Sequence, residues 1–261
     1  KVKQEQGAGL TGRKTINPHL TPKGAEIDPQ MRRWGRDFGL ETPKTPTCIL
    51  FNEDKEFIKF GYKAKIVYVK MRGEEARKSY FFENFKMALY GKKLSRDVEI
   101  KAANGKSMKA LKVFTEALRY LKDDALRTIA GNTAGRKFIA SDFTWVLTVP
   151  AIWDPSAKQF MREAATQAEI VREGTQHHLI IALEPEAASA WCKKLPADGF
   201  ITQNHDGRSL DQCPGTQYIV VDCGGTVCDS VTLTNIHPQT RWKHLSAAAG
   251  SQHSSLPKTF P

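Results

Sequence analysis

No apolar run in this 261-residue sequence approaches the roughly 20 residues that a membrane-spanning helix requires, so no membrane span is expected. The opening Lys-Val-Lys-Gln-Glu-Gln has no apolar stretch of the kind that marks a secretory leader. The sequence does not begin with methionine, and a fragment of a longer protein is the expectation. Cysteine is sparse: Cys48, Cys192, Cys213, Cys223 and Cys228 are odd in number, with no Cys-x-x-Cys pair and no zinc-like spacing. Reduced thiols in a cytoplasmic protein are the plain reading. His177 and His178 have no acidic or cysteine partner at metal-binding spacing and are read as surface residues. There is no internal repeat, no run of about five like charges, and no basic stripe interleaved with aromatics. Nucleic acid is therefore not an expected partner, despite the basic balance.

That balance is a net charge of +11, from 39 basic and 28 acidic residues, and it favours anionic partners in general. Spread along the chain as it is, it reads first as a solvated basic surface. An apolar share of 40% is enough for a core. Residues 1–46 are rich in glycine, proline, threonine and charge, and are read as mostly irregular. The glycine cluster of residues 7–12 has no strand-like run before it, so it is weak evidence for phosphate binding.

From residue 47 the pattern changes. Residues 48–51 and 57–60 read as two short strands joined by a turn. Phe81, Phe82, Phe85 and Leu89 recur at helical spacing and mark a core stripe. Residues 98–103 with the Asn104-Gly105 turn suggest a hairpin arm. Ser107 is the expected cap of a long amphipathic helix whose apolar face runs from Leu111 through Phe114, Leu118 and Leu121 to Ala125 and Ile129. Asp154-Pro155 has the form of a helix start, with the aspartate as cap and proline in the first turn. Residues 196–216 form a polar loop long enough to be functional or disordered.

Three apolar runs carry the functional reading. Residues 143–149 end before Pro150, residues 179–183 end at Glu184, and residues 217–222 end at Asp222 before Gly224 and Gly225. Each reads as a buried strand whose end emerges where α/β sheets bind ligands. Taken alone, Glu184 is as well explained by a helix cap and Asp222 by a turn, while Lys65 reads simply as a surface lysine.

Five phrases then match a known pattern: Lys-Thr-Pro-Thr at residues 44–47, Ala-Ala-Asn-Gly-Lys at 102–106, Thr-Val-Pro-Ala-Ile-Trp at 148–153, Ala-Lys-Gln-Phe-Met-Arg-Glu-Ala-Ala at 157–165, and Ile-Ile-Ala-Leu-Glu-Pro-Glu-Ala-Ala-Ser at 180–189. With them, residues 31–256 resemble the nucleotide-binding domain of the 70-kDa heat-shock protein family, in its divergent heat shock 70 kDa protein 12 branch. The resemblance implies an α/β, actin-like ATPase (ribonuclease H-like) fold, first lobe only, with a mixed sheet and flanking helices over residues 47–249 and a polar tail over 250–261. It implies ATP or ADP with Mg²⁺ as cofactors. It also implies a chaperone-type, stress-response protein of the cytoplasm, with client or co-chaperone proteins as partners. By the same resemblance Lys65 is the catalytic lysine near the γ-phosphate. Glu184 and Asp222 are catalytic acids that hold Mg²⁺ through water. Gly224, Gly225 and Thr226 lie in the second phosphate loop, and Pro150 and Lys158 form the pair that relays nucleotide state to a partner domain.

The departures from the family pattern are specific. Residues 1–30 contain no Asp-x-Gly-Thr-Thr phrase for a first phosphate loop. The second loop reads Asp-Cys-Gly-Gly-Thr-Val-Cys-Asp at residues 222–229, so Thr226 stands where a third glycine is usual and Val227 where a threonine is usual. The sequence also ends before the family's second lobe. A weak or inactive ATPase is therefore expected, and the alternative is a degenerate pseudo-ATPase that works as a protein-interaction module.

Overall fold

The computed structural model describes residues 10–14, 31–90, 95–192, 217–223, 228–237 and 241–250. It is a mixed α/β protein of eleven described strands and five described α-helices. The chain divides into two compact units. The larger takes residues 7–147 and 154–181, and the smaller takes residues 1–6, 148–153 and 182–261.

In the larger unit, β2 (Cys48–Phe51) lies between β3 (Phe57–Phe60) and β4 (Tyr80–Glu83), antiparallel to both. All four residues of β2 are buried, because helix α1 (Gly61–Lys70) also packs on this sheet. Cys48, Leu50, Ala64 and Phe81 make one packed cluster under α1. The β2–β3 turn is closed by Asn52, whose side-chain oxygen accepts the Glu56 N–H at 2.8 Å. A short helix α2 (Gly73–Lys78) leads into β4.

The aromatic stripe of residues 81–89 is core, as its composition predicts, but it is not helical. Phe81 and Phe82 sit in β4 and Leu89 in a single 3₁₀ turn, all buried. Consecutive strand residues point to opposite faces, so burial of both phenylalanines means that β4 is covered on both sides. A fully buried short strand has no alternating pattern and mimics a helix segment.

β5 (Glu99–Lys101) and β6 (Ser107–Lys109) form a two-stranded hairpin around the Asn104-Gly105 turn. Ser107 is therefore a strand residue and not a helix cap. Helix α3 (Ala110–Gly131) starts three residues later, with Lys109 at the cap position and no side-chain cap. Pairing with Lys101 takes the Ser107 backbone into the ladder. Leu111, Phe114 and Leu118 are buried as expected, whereas Leu121, Ala125 and Ile129 are only half-buried and Lys122 and Asp124 are buried in that half of the helix.

Helix α4 (Pro155–Gln167) begins as the sequence predicts: Asp154 Oδ1 accepts the Ala157 N–H at 2.8 Å. It packs on α3 through an edge-to-face pair, Phe114 with Phe160. Its C-terminal carbonyls are met by cations from α3. Arg119 donates to the Gln167 carbonyl at 2.6 Å, and buried Lys122 to the Ala168 carbonyl at 3.0 Å.

Strand β7 (Phe143–Val149) alternates buried and half-buried residues and is the middle strand of a sheet ordered β1-β7-β8, with β8 at Leu179–Leu183. The third member, β1 (Leu10–Lys14), is a strand within the segment of residues 1–46 that reads as mostly irregular. It pairs antiparallel with β7, Gly12 opposite Trp145. Leu-Thr-Gly-Arg-Lys has little apolar content to announce a strand; the ladder on β7 supplies what its side chains do not.

The division between the units passes through β7 and β8, whose last residues count with the smaller unit. There, α5 (Glu184–Cys192) packs on β9 (Gln217–Cys223), and β10 (Cys228–His237) pairs antiparallel with both β9 and β11 (Arg241–Gly250). The third apolar run thus belongs to a sheet of its own, β11-β10-β9, and not to the sheet of the first two. Among the described residues no helix is long and apolar enough to cross a membrane.

Candidate functional site

Lys65 lies on the second turn of α1, which begins at Gly61 with φ of 62°. Only glycine takes that conformation without strain, and it lets the chain turn directly from β3 into the helix. The Lys65 ammonium donates to Glu83 Oε1, at the end of β4, at 2.7 Å. β2 separates the two elements, so strand order and not sequence proximity brings them together. The same carboxylate oxygen accepts from the Cys48 thiol at 3.6 Å.

The hydrogen bond to Glu83, and then its charge, raise the Lys65 pKa; the same hydrogen bond lowers that of Glu83. Burial, followed by the charge of Glu83, pushes Cys48 up to about 12, so this thiol stays protonated and unreactive. An ammonium has three donors, and Glu83 takes one. With half of its side chain exposed, Lys65 keeps two donors for a second anion. Glu83 carries no local sequence signal of this role; eighteen residues separate it from Lys65.

Glu184 and Asp222 belong to the smaller unit. Glu184 is the first residue of α5, half-buried, and Pro185 behind it is buried. Glu186, one turn edge further on, accepts the Leu183 N–H at 3.4 Å and closes the step from β8 into the helix. Asp222 is the penultimate residue of β9, in register with Asp229 of β10, and Cys223 faces Cys228 across the same ladder. α5 packs on β9, so both acids sit on elements that touch. Gly224, Gly225 and Thr226 lie outside the described residues, as do residues 193–216 of the long polar loop. Pro150 is buried after β7, where its carbonyl accepts the Trp153 N–H at 3.2 Å, and Lys158 is half-buried on the first turn of α4.

With that geometry in place, comparison with known proteins is informative. Heat shock 70 kDa protein 12A of Homo sapiens is 38% identical over 268 aligned positions, which cover 87% of this chain. The mouse protein of the same name gives the same identity and coverage, and human heat shock 70 kDa protein 12B is 34% identical over 271 positions. The chain is a relative of the heat shock 70 kDa protein 12 branch. It spans 39% of the length of these relatives. No family model matches the chain. The mixed α/β architecture stands beside this similarity to heat-shock proteins.

Glu184 and Asp222 stand on elements that pack together, and carboxylates are the donor type that a small, hard cation such as Mg²⁺ takes. Among the described residues there is no cluster of three His, Cys, Asp or Glu side chains that could hold a metal ion.

Proposed function

We propose that this chain is the first lobe of an actin-like, ATP-binding chaperone domain whose phosphate site is degraded, so that it binds ATP weakly or not at all and does not turn it over. The carrying observation is the β9–β10 hairpin. Four residues, 224–227, join two strands paired up to Cys223 and Cys228. Those four residues read Gly-Gly-Thr-Val. A loop that cradles phosphate needs backbone N–H groups turned inward, which favours positive φ and glycine. Thr226 disfavours that turn, and Val227 brings no hydroxyl.

In the proposed site Glu184 and Asp222 would hold Mg²⁺ through its waters and orient the attacking water. By the resemblance, Gly224, Gly225 and Thr226 would belong to the loop that takes the phosphates. Lys65, paired with Glu83 in the larger unit, is by the resemblance the lysine proposed for the γ-phosphate. Bound Mg²⁺ would neutralise charge on the phosphates. Pro150 and Lys158 would relay occupancy to a partner domain, with client or co-chaperone proteins in the cytoplasm as the downstream partners. Positioning is what phosphoryl transfer asks of a protein, and a charge-assisted hydrogen bond is worth about 1.5–3 kcal/mol. Loss of two or three oriented donors therefore removes most of the affinity.

One observation favours the pseudo-ATPase alternative. Ile219 and Val221 are exposed at alternate positions of β9, beside the proposed site, as a protein-contact surface would have them. Calorimetric titration of the 261-residue chain with Mg-ATP tests the reading. Dissociation in the high-micromolar range or weaker is expected, and low-micromolar or tighter binding would overturn it.

A further inference from the structure

The smaller unit holds a pair of residues that the ATP reading does not use. Cys223, the last residue of β9, stands directly opposite Cys228, the first residue of β10, in their antiparallel ladder. Directly opposed residues of such a ladder have Cα atoms about 4.5 or about 5.5 Å apart, according to their place in the hydrogen-bond pattern. Disulfides bridge Cα atoms about 4.4–6.8 Å apart. Either place in the ladder therefore meets the backbone requirement for a bond between these two cysteines.

The surroundings in the ladder favour such a bond. Positions 219, 221 and 223 alternate onto one face of β9, and Ile219 and Val221 are both more than half exposed, so that face is open to solvent along the strand. Their partners in register on β10 are Thr232 and Ser230, both short and polar. On its other side Cys228 is in register with Gly250 of β11, a residue with no side chain to crowd the position. The contrast within the chain is Cys48, which stands opposite Glu83, is fully buried, and is held as an unreactive thiol.

We infer that Cys223 and Cys228 are a reversible redox pair, oxidised to a cross-strand disulfide by small-molecule disulfides such as oxidised glutathione. One cysteine sulfur attacks the glutathione disulfide and releases one glutathione as its thiol. The second cysteine sulfur then attacks the mixed disulfide and releases the other. One S–S bond forms in the chain, the glutathione S–S bond breaks, and the two cysteine protons end on the two glutathione thiols. So short a ring restrains the unfolded chain little, and a disulfide on an exposed face is the labile, regulatory kind. Oxidation would tie together the two ends of residues 224–227. The bond follows from strand register and uses neither nucleotide nor Mg²⁺, so it stands or falls apart from the ATP reading.

Equilibration of the full chain in glutathione buffers of graded reduced-to-oxidised ratio, followed by alkylation and cleavage before Asp222 and Asp229, tests the pair. That cleavage releases residues 222–228, which contain these two cysteines and no other. The expected product is that peptide two hydrogens lighter and unalkylated at both sulfurs, returned to the doubly alkylated form when dithiothreitol precedes alkylation. The equilibrium constant for linkage should be at least tenfold larger in the folded chain than in urea, where only the four intervening residues hold the pair together. A peptide alkylated at both sulfurs throughout the series, or linkage of either cysteine to Cys192, Cys213 or a second chain, would overturn the pairing. Equal constants in the folded chain and in urea would overturn the part given to strand register.

Discussion

Among the described residues, individual strands of the two units bury their apolar residues to different degrees. In the larger unit β2 and the core positions of β4 and β7 are closed: Leu50, Phe51, Phe82 and Trp145 are all 1% exposed or less. In the smaller one β9 leaves Ile219 66% and Val221 51% exposed, and Trp191 of α5 is 45% exposed. The smaller unit carries the two proposed magnesium acids on elements that keep these exposed apolar residues.

The largest effect expected from that contrast is in the core. Leu50→Ala removes a fully buried side chain under α1 and should cost about 2–5 kcal/mol of unfolding free energy. Val221→Ala, the same kind of truncation at an exposed residue of β9, should cost about 1 kcal/mol or less. Denaturant titration of both variants measures the difference. Equal costs would erase the distinction between the units.

A middle-sized effect is expected at the α3–α4 contact. Lys122→Met leaves the Ala168 carbonyl without its buried donor and should destabilise by about 1–3 kcal/mol. If thermal unfolding of Lys122→Met matched that of the parent, the carbonyl would have another partner.

The smallest effect concerns Lys65 and Glu83. The Glu83 pKa is lowered in the folded chain, so its contribution is present above the unfolded value and is lost as pH falls through the folded one. The Lys65 pKa is raised, so its contribution is present below the unfolded value and is lost as pH rises through the folded one. Between those limits Glu83→Gln should be slightly less stable than the parent, and below the carboxylate range the two should converge. The pair is half-exposed, and solvent screens it. A stability difference that persisted unchanged into acid would mean that packing, not charge, links the two residues.

The sequence was most legible where one physical signal acted alone. Asp154-Pro155 marked the start of α4 because capping is local. The run of residues 143–149 gave β7 residue for residue. Residues 179–183 gave β8, although the helix after it begins at Glu184 itself. It was least legible where tertiary pairing overrode local pattern. Leu10–Lys14 became a strand only because β7 offered an edge, Ser107 was taken from its helix by β5, and the phenylalanines of β4 were hidden by coverage on both sides. The candidate site shows the same division. Lys65, Glu184 and Asp222 came from resemblance in sequence, whereas Glu83 could come only from strand order.

Steady-state phosphate release from Mg-ATP, compared between the parent chain and Glu184→Ala, tests the degraded-site account most directly. The account predicts no magnesium-dependent turnover above the Glu184→Ala background, because a water placed by Glu184 attacks nothing when the phosphate is not held. Turnover that survives purification and falls at least tenfold in Glu184→Ala would contradict it.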